Sequence, residues 1–414
     1  MSEFKNLPSG WRVVRLGDVF DFLKTYTNSR ESLNDYDEIS YIHYGEIHKK
    51  YKFYLDFHVA SLPKIHQSKL GDKPEFIKNG DLVIADASED YIDIAKSVEI
   101  KNLEYKAVAG LHTFLLRDKG DYFADGYKGY ILYEPWVAKE LKKKATGISV
   151  LGISKSNLLN LKIKLPPLDE QEKIAEILST WDEAINLTIN LIENKKQFKK
   201  ALMQNLLTAK IRFPQFKDKW RETKLGKILK ERKTYQNKGF DLEHVSLTKD
   251  GVVPKSERYD RDFLVKDDNK QYKITRLNDI CYNPANLKFG VICKNIYGDG
   301  IFSPIYVTFE CCNELDNDFA GFYLTQNDFI QKVRKFEEGT VYERMAVSPE
   351  DFLRFKIKLP NLKEQQKIAE VLTACDDEIN LLNLKLENLK KQKQGLMQKL
   401  LKGEIRTCYV KKAM

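Results

Sequence analysis

With 414 residues, 42% of them hydrophobic and 31% charged, the chain is too apolar for a disordered polymer and too long for one ordinary core. No apolar run approaches the ~18 residues that a membrane span needs, and the polar N-terminus lacks a signal-peptide core, which sets membrane insertion and secretion aside. The net charge of +9 permits a polyanionic partner without defining one, because 69 basic residues are dispersed among 60 acids.

The first element is a short opener, Trp11-Arg12 followed by Leu16-Gly17. Behind it, up to residue 164, strand-like runs at 39–42, 80–85 and 111–116 alternate with turn residues, and a helix is expected near 127–144. This pattern predicts an α+β block with a small mixed or antiparallel sheet. Bases and aromatics interleave in its loops: Lys49, Lys50, Tyr51 and Lys52, then Lys142, Lys143 and Lys144. The block closes on Gly147, a polar stretch with Ser149, and Ile153-Ser154. Five of the six histidines fall here (His43, His48, His58, His66, His112). Without cysteines or paired carboxylates at ligand spacing they predict no metal site.

A long helix follows. Residues 168–209 contain no glycine or proline, and Asp169 and Glu170 sit in the first turn, where carboxylates oppose the positive end of the helix dipole. Apolar positions recur at steps of four and three: Ile174, Leu178, Trp181, Ile185, Thr188, Ile192. That is a coiled-coil seam, and at ~1.5 Å per residue the helix is ~60 Å long. A rod of that length needs another long helix as partner. Lys195, Lys196, Lys199 and Lys200 mark a polar row, readable as a solvated face or as a face kept for helices of another subunit.

The order then repeats. A second opener, Trp220-Arg221 with Leu225-Gly226, leads into a second block up to residue 358, with strands expected at 278–282 and 305–309 and a helix near 318–335. Its basic and aromatic candidates are Lys255, Arg258, Tyr259 and Arg261, then Arg334, Lys335, Tyr342 and Arg344. The second rod repeats the first: Leu165-Pro166-Pro167-Leu168-Asp169-Glu170-Gln171 returns as Leu359-Pro360-Asn361-Leu362-Lys363-Glu364-Gln365, a shift of 194. Its seam is cleaner, running Ile368, Leu372, Cys375, Ile379, Leu382, Leu386, Leu389, and later Leu396 and Leu400. A further apolar row (Leu187, Leu191, Phe198; Leu381, Leu384) is wider than one antiparallel pair requires and favours additional helices. The expected divisions are 1–164, 165–213, 214–358 and 359–414. Two copies of one frame around dissimilar interiors suggest one scaffold that recognises two different things.

Catalytic signatures are missing. Neither a phosphate-cradling G-x-x-x-x-G-K-[ST] nor a dinucleotide G-x-G-x-x-G occurs. Asn283-Pro284-Ala285-Asn286 only faintly resembles the Asn-Pro-Pro-aromatic motif of amino methyltransferases, lacking the second proline and the aromatic. All six cysteines lie in the second half, which does not suit a disulfide framework and points to a reducing cytoplasm.

The duplicated order of opener, block, Leu-Pro-Pro, Glu170-Gln171 and rod resembles the specificity subunits of type I restriction–modification systems, over essentially the whole chain. Residues 206–213 with Pro214 resemble that family's linker into its second recognition domain. The resemblance implies an α+β fold with two target-recognition domains related by pseudo-two-fold symmetry, joined by two long antiparallel coiled-coil helices. It implies that each domain reads half of a split sequence in double-stranded DNA, and that the chain has no catalysis of its own. It also implies two methyltransferase subunits, which use S-adenosylmethionine, and two translocase–endonuclease subunits, which use ATP and Mg, with no cofactor in this chain. The basic residues named above, with Ser149, are then the candidates for DNA contact. A coiled-coil tether with two protein-binding ends is the alternative.

Overall fold

The computed structural model describes residues 4, 7–91, 94–237, 242–255, 271–336 and 346–407. The chain divides into two compact units, Met1–Ile189 with Lys385–Met414, and Asn190–Leu384. Each unit therefore holds one variable block, part of one long helix and part of the other. The helices run Leu168–Leu206 and Leu362–Lys402. At ~1.5 Å per residue both are ~60 Å long.

In the first unit the opener strand Arg12–Arg15 pairs antiparallel with Lys162–Leu165, Arg12 opposite Leu165, so the two ends of the block are zipped together at the foot of the first helix. Between them a five-stranded sheet runs in the order Phe20–Leu23, Thr113–Asp118, Leu82–Ala85, Ser97–Lys101, Phe53–Asp56, with only the last pair parallel. All four residues of Leu82–Ala85 are buried, which fits its unbroken apolar sequence rather than an alternating one. A smaller sheet joins Lys64–Ile65, Ile39–Ile42 and Ala107–Ala109. The helix expected near 127–144 arrives in two pieces, a 3-10 segment Lys128–Tyr133 and the α-helix Pro135–Lys144. Pro135 cannot donate into a continuous helix, so a new one starts there, with Glu134 accepting from Val137 N at 2.8 Å as its cap. Gly129 lies so close to the carbonyl of Phe53 that any Cβ would collide with it.

The second unit keeps the frame and changes the interior. Arg221–Lys224 pairs antiparallel with Lys356–Leu359 as its counterpart does. Inside are a four-stranded sheet (Leu229–Glu231, Val307–Cys311, Ile280–Tyr282, Ile292–Lys294), a three-stranded sheet (Tyr235–Asn237, Gln271–Thr275, Gly300–Phe302) and the hairpin Val245–Thr248/Gly251–Pro254. The helix expected near 318–335 divides into Asn317–Leu324 and Asn327–Val333. Stacked rings of Tyr282, Phe309 and Phe352 fill its core.

The repeated Glu-Gln pair fastens each block to its rod. Gln171 accepts from Ala124 N and donates to the carbonyls of Tyr122 and Pro166. Gln365 does the same with Asp316 N, Glu314 and Pro360. Both glutamines are at most 1% exposed, so three hydrogen bonds each are what make that burial tolerable. Glu170 pairs with Arg406 at 2.7 and 2.9 Å, and Glu364 pairs with Arg212 at 2.8 and 2.7 Å. Each glutamate thus holds the segment that leaves the far end of the other helix. The copies differ at the indole. Trp11 Nε1 donates to Glu170 at 2.8 Å, whereas its counterpart Trp220 Nε1 is buried without a hydrogen-bond partner.

The helices run antiparallel within each unit. In the second, Lys195 meets Glu378 at 2.7 Å and Lys199 meets Asp376 at 2.5 Å, rising numbers against falling ones. In the first, Glu170 meets Arg406 and Asp182 meets Lys393. Asp182 and Asp376 are the same repeat position, as are Lys393 and Lys199, so one ion pair occurs twice with the partners exchanged. The lysine row of the first helix, and its repeat at Lys390, Lys391, Lys393 and Lys399 in the second, are accordingly not a uniform solvated face. Lys393 is 4% exposed, its ammonium 3.6 Å from the Phe53 ring centroid.

Candidate nucleic-acid interface

Lys49 ends the short helix Tyr44–Lys49 and is exposed. Lys50 Nζ reaches Glu46 at 3.0 Å, Tyr51 OH bonds Ser61, and Lys52 lies over the Phe53 and Tyr133 rings. The structure brings Lys50, Tyr51, Lys52 and Lys142 together on one cavity of about 790 Å³, whose other wall is Asp182, Ile185, Lys390, Lys393 and Met397. Lys50, Lys52 and Lys142 line this cavity and are exposed to solvent as well. Lys143 pairs with Glu140 at 2.7 Å, and the Lys144 carbonyl accepts from Asn157.

Ser149 has a different setting. Thr146 and Gly152 exchange backbone hydrogen bonds of 3.0 and 2.7 Å, and Leu151–Gly152 pairs antiparallel with Ala87–Ser88. The closed loop raises Ile148, Ser149 and Val150 into solvent; Ile148 is 101% exposed and Val150 54%. In the second unit Lys255 is half-buried, with its N–H on the His244 carbonyl. Arg334 donates to Gln331 at 2.9 Å, and Lys335 is exposed beside Phe336. Arg258, Tyr259, Arg261, Tyr342 and Arg344 lie outside the described residues.

The histidines are held by local hydrogen bonds. His43 Nδ1 accepts from Gly45 N at 3.1 Å and caps its helix, and burial pushes its pKa down to about 4. His48 Nε2 lies 2.8 Å from the Ala87 carbonyl, and His66 Nδ1 accepts from Ser68 N. His112 pairs with Asp86. Among the described residues no group of three or more His, Cys, Asp or Glu could hold a metal.

Burial beside the Phe53 and Tyr130 rings pushes the Lys393 ammonium down to about 8, against the pull of Asp182. An unfolded lysine keeps its proton to ~10.4. Between these values the unfolded chain binds more protons, so folding becomes more favourable as pH rises through the window. Wild type should therefore gain stability relative to Lys393→Met as pH is raised from about 8 to ~10, read from paired urea midpoints. A gap that stays constant over that range would mean that burial does not burden the charge.

Two dissimilar α+β blocks, each fastened by the same buried Glu-Gln anchor to a shared pair of antiparallel rods, define a duplicated recognition subunit. The family model for the type I restriction modification DNA specificity domain matches residues 8–196 and again 218–391, and the chain belongs to that family. The type I restriction enzyme MjaVIII specificity subunit of Methanocaldococcus jannaschii is 26% identical, over 97% of this chain and 94% of its own length. The fold is similar to that of the type I restriction-modification S subunit from M. genitalium, with a TM-score of 0.54 at 15% identity and 96% of each chain covered. It is also similar to a specificity subunit from Thermoanaerobacter tengcongensis, with a TM-score of 0.51 at 19% identity, covering 98% of this chain and all of that one.

Proposed function

We propose that the chain reads a bipartite target in double-stranded DNA, one half through each variable block, and directs adenine methylation or cleavage by partner subunits. The observation that carries this reading is the twice-used anchor. Glu170-Gln171 and Glu364-Gln365 hold their blocks in the same way, yet the sheets they hold differ in strand number and order. Such an arrangement keeps two readers in matched frames while letting each evolve its own contacts.

The chain is not itself the catalyst. Two methyltransferase subunits would bring S-adenosylmethionine, and two translocase–endonuclease subunits would bring ATP and Mg. The exposed row Leu191, Phe198, Leu381 and Leu384 in the second unit supports helices of a partner as its cover, since four large apolar side chains are otherwise left in water. A cytoplasmic setting accords with a DNA target, and among the described residues no helix is long and apolar enough to cross a membrane.

Mobility shift on duplex DNA tests the reading. Lysine and arginine contacts to phosphates release counterions, so affinity should fall by ~10³-fold or more between 50 and 200 mM salt if six or more phosphates are engaged. Salt-insensitive binding, or none with the assembled complex, would favour a protein-tethering role instead.

A further inference from the structure

Four separated segments of the first block meet at one end of its sheets. Strand Leu82–Ala85 leads into Asp86, and its partner strand begins at Thr113, directly opposite Ala85. Asp86 N donates to the His112 carbonyl at 3.1 Å, so both residues sit at the same strand ends. Tyr44 N donates to the Leu111 carbonyl, and its ring stands edge-on to His112 with centroids 5.4 Å apart. The fourth segment is the loop closed by Thr146 and Gly152, tied in by Ile153 N donating to the Asp86 carbonyl at 2.8 Å.

Two features of this end have no role in the core. His112 has φ 56°, a left-handed conformation that a side-chain-bearing residue adopts at a cost, and its side chain is 52% exposed. Its Nδ1 lies 3.1 Å from Asp86 Oδ1. An ionised carboxylate can only accept, so Nδ1 is the protonated nitrogen, and in that tautomer of the uncharged ring Nε2 is the acceptor. On the loop tied to Asp86 through Ile153, Ile148 and Val150 are held in solvent above a base closed by the Thr146–Gly152 backbone pair. An oriented acceptor at the same end of the block as exposed methyl groups suits the reading of base edges: the amino groups of adenine and cytosine donate in the major groove, and thymine presents a methyl there.

We propose that His112, oriented by Asp86, together with the Ile148–Ser149–Val150 loop, forms the base-reading edge of the first block, with His112 taking an exocyclic amino group and Ile148 a thymine methyl. This rests on the DNA-reading function proposed above and assigns it to particular residues. Lys50, Lys52 and Lys142, long flexible ammonium groups away from this edge in sequence, are then left for phosphate contact rather than base reading.

The test is methylation by the full complex, co-expressed with its methyltransferase partner, scored over a library of target sites. His112→Ala should lose ~10-fold or more of the discrimination at one base pair of one half-site, leaving the other half-site unchanged. His112→Asn tolerates the left-handed backbone and separates loss of the imidazole from backbone relaxation; it should shift preference at that same base pair. Ile148→Ser, which removes only an exposed side chain, should relax a neighbouring position of the same half-site. An unaltered motif in His112→Ala and Ile148→Ser, or a uniform fall in methylation across all sequences, would overturn the assignment. If wild type itself methylates without a split motif, the DNA-reading function fails, and this edge with it.

Discussion

Replacing Glu170 with alanine should lower the unfolding free energy of the first unit by about 3–5 kcal/mol, the range expected when one partner of a buried, hydrogen-bonded ion pair is removed. Glu170 is 1% exposed and accepts three hydrogen bonds: one from Trp11 Nε1 at 2.8 Å, and two from Arg406 at 2.7 and 2.9 Å. Alanine leaves the guanidinium and the indole N–H facing a cavity. It also unfastens three parts of the chain at once: the opener, the foot of the first helix and the segment beyond the second. Glu170→Gln keeps an acceptor for Trp11 but no charge for Arg406, and should fall between wild type and alanine. Urea unfolding followed by tryptophan fluorescence reads both, and a midpoint for Glu170→Ala within ~0.5 kcal/mol of wild type would remove the anchor from the account.

The second large effect concerns the rods. If their length sets how many base pairs lie unread between the half-sites, removing one heptad from equivalent central positions of both helices shortens the frame by ~10 Å while keeping every remaining side chain on its own helix face. At ~3.4 Å per base pair the gap should contract by ~3 base pairs, and neither half-site should change its sequence. A deletion of four residues instead rotates one end against the other and should abolish specific methylation rather than shorten the gap.

Much of this was readable from residues alone, for identifiable reasons. The rods declare themselves because an apolar step of four and three, repeated in both copies within glycine- and proline-poor stretches, reads as a coiled-coil seam. The strands at 39–42, 278–282 and 305–309 fall close to where β-branched and aromatic runs place them. Glu170 was legible as a first-turn carboxylate opposing the helix dipole and Trp11 as part of the repeated opener, but nothing local pairs Glu170 with residues 11 and 406. Lys393 looks like any lysine in a polar row. Only the packing of Phe53 and Tyr130 against the second helix makes it a buried partner of Asp182. The His112–Asp86 pair was hidden for the same reason, since four distant segments build that edge. The one sequence trace is the loop around Ser149, which the sequence marks as a candidate for DNA contact without showing that it shares an end with His112.

Mapping methylated adenines in a host that carries the complete system, with wild type and the paired heptad deletion side by side, tests the central claim most directly. A split motif is expected in wild type, and in the variant the same two halves separated by ~3 fewer base pairs. A contiguous motif in wild type, or the original gap retained in an active heptad variant, would contradict it.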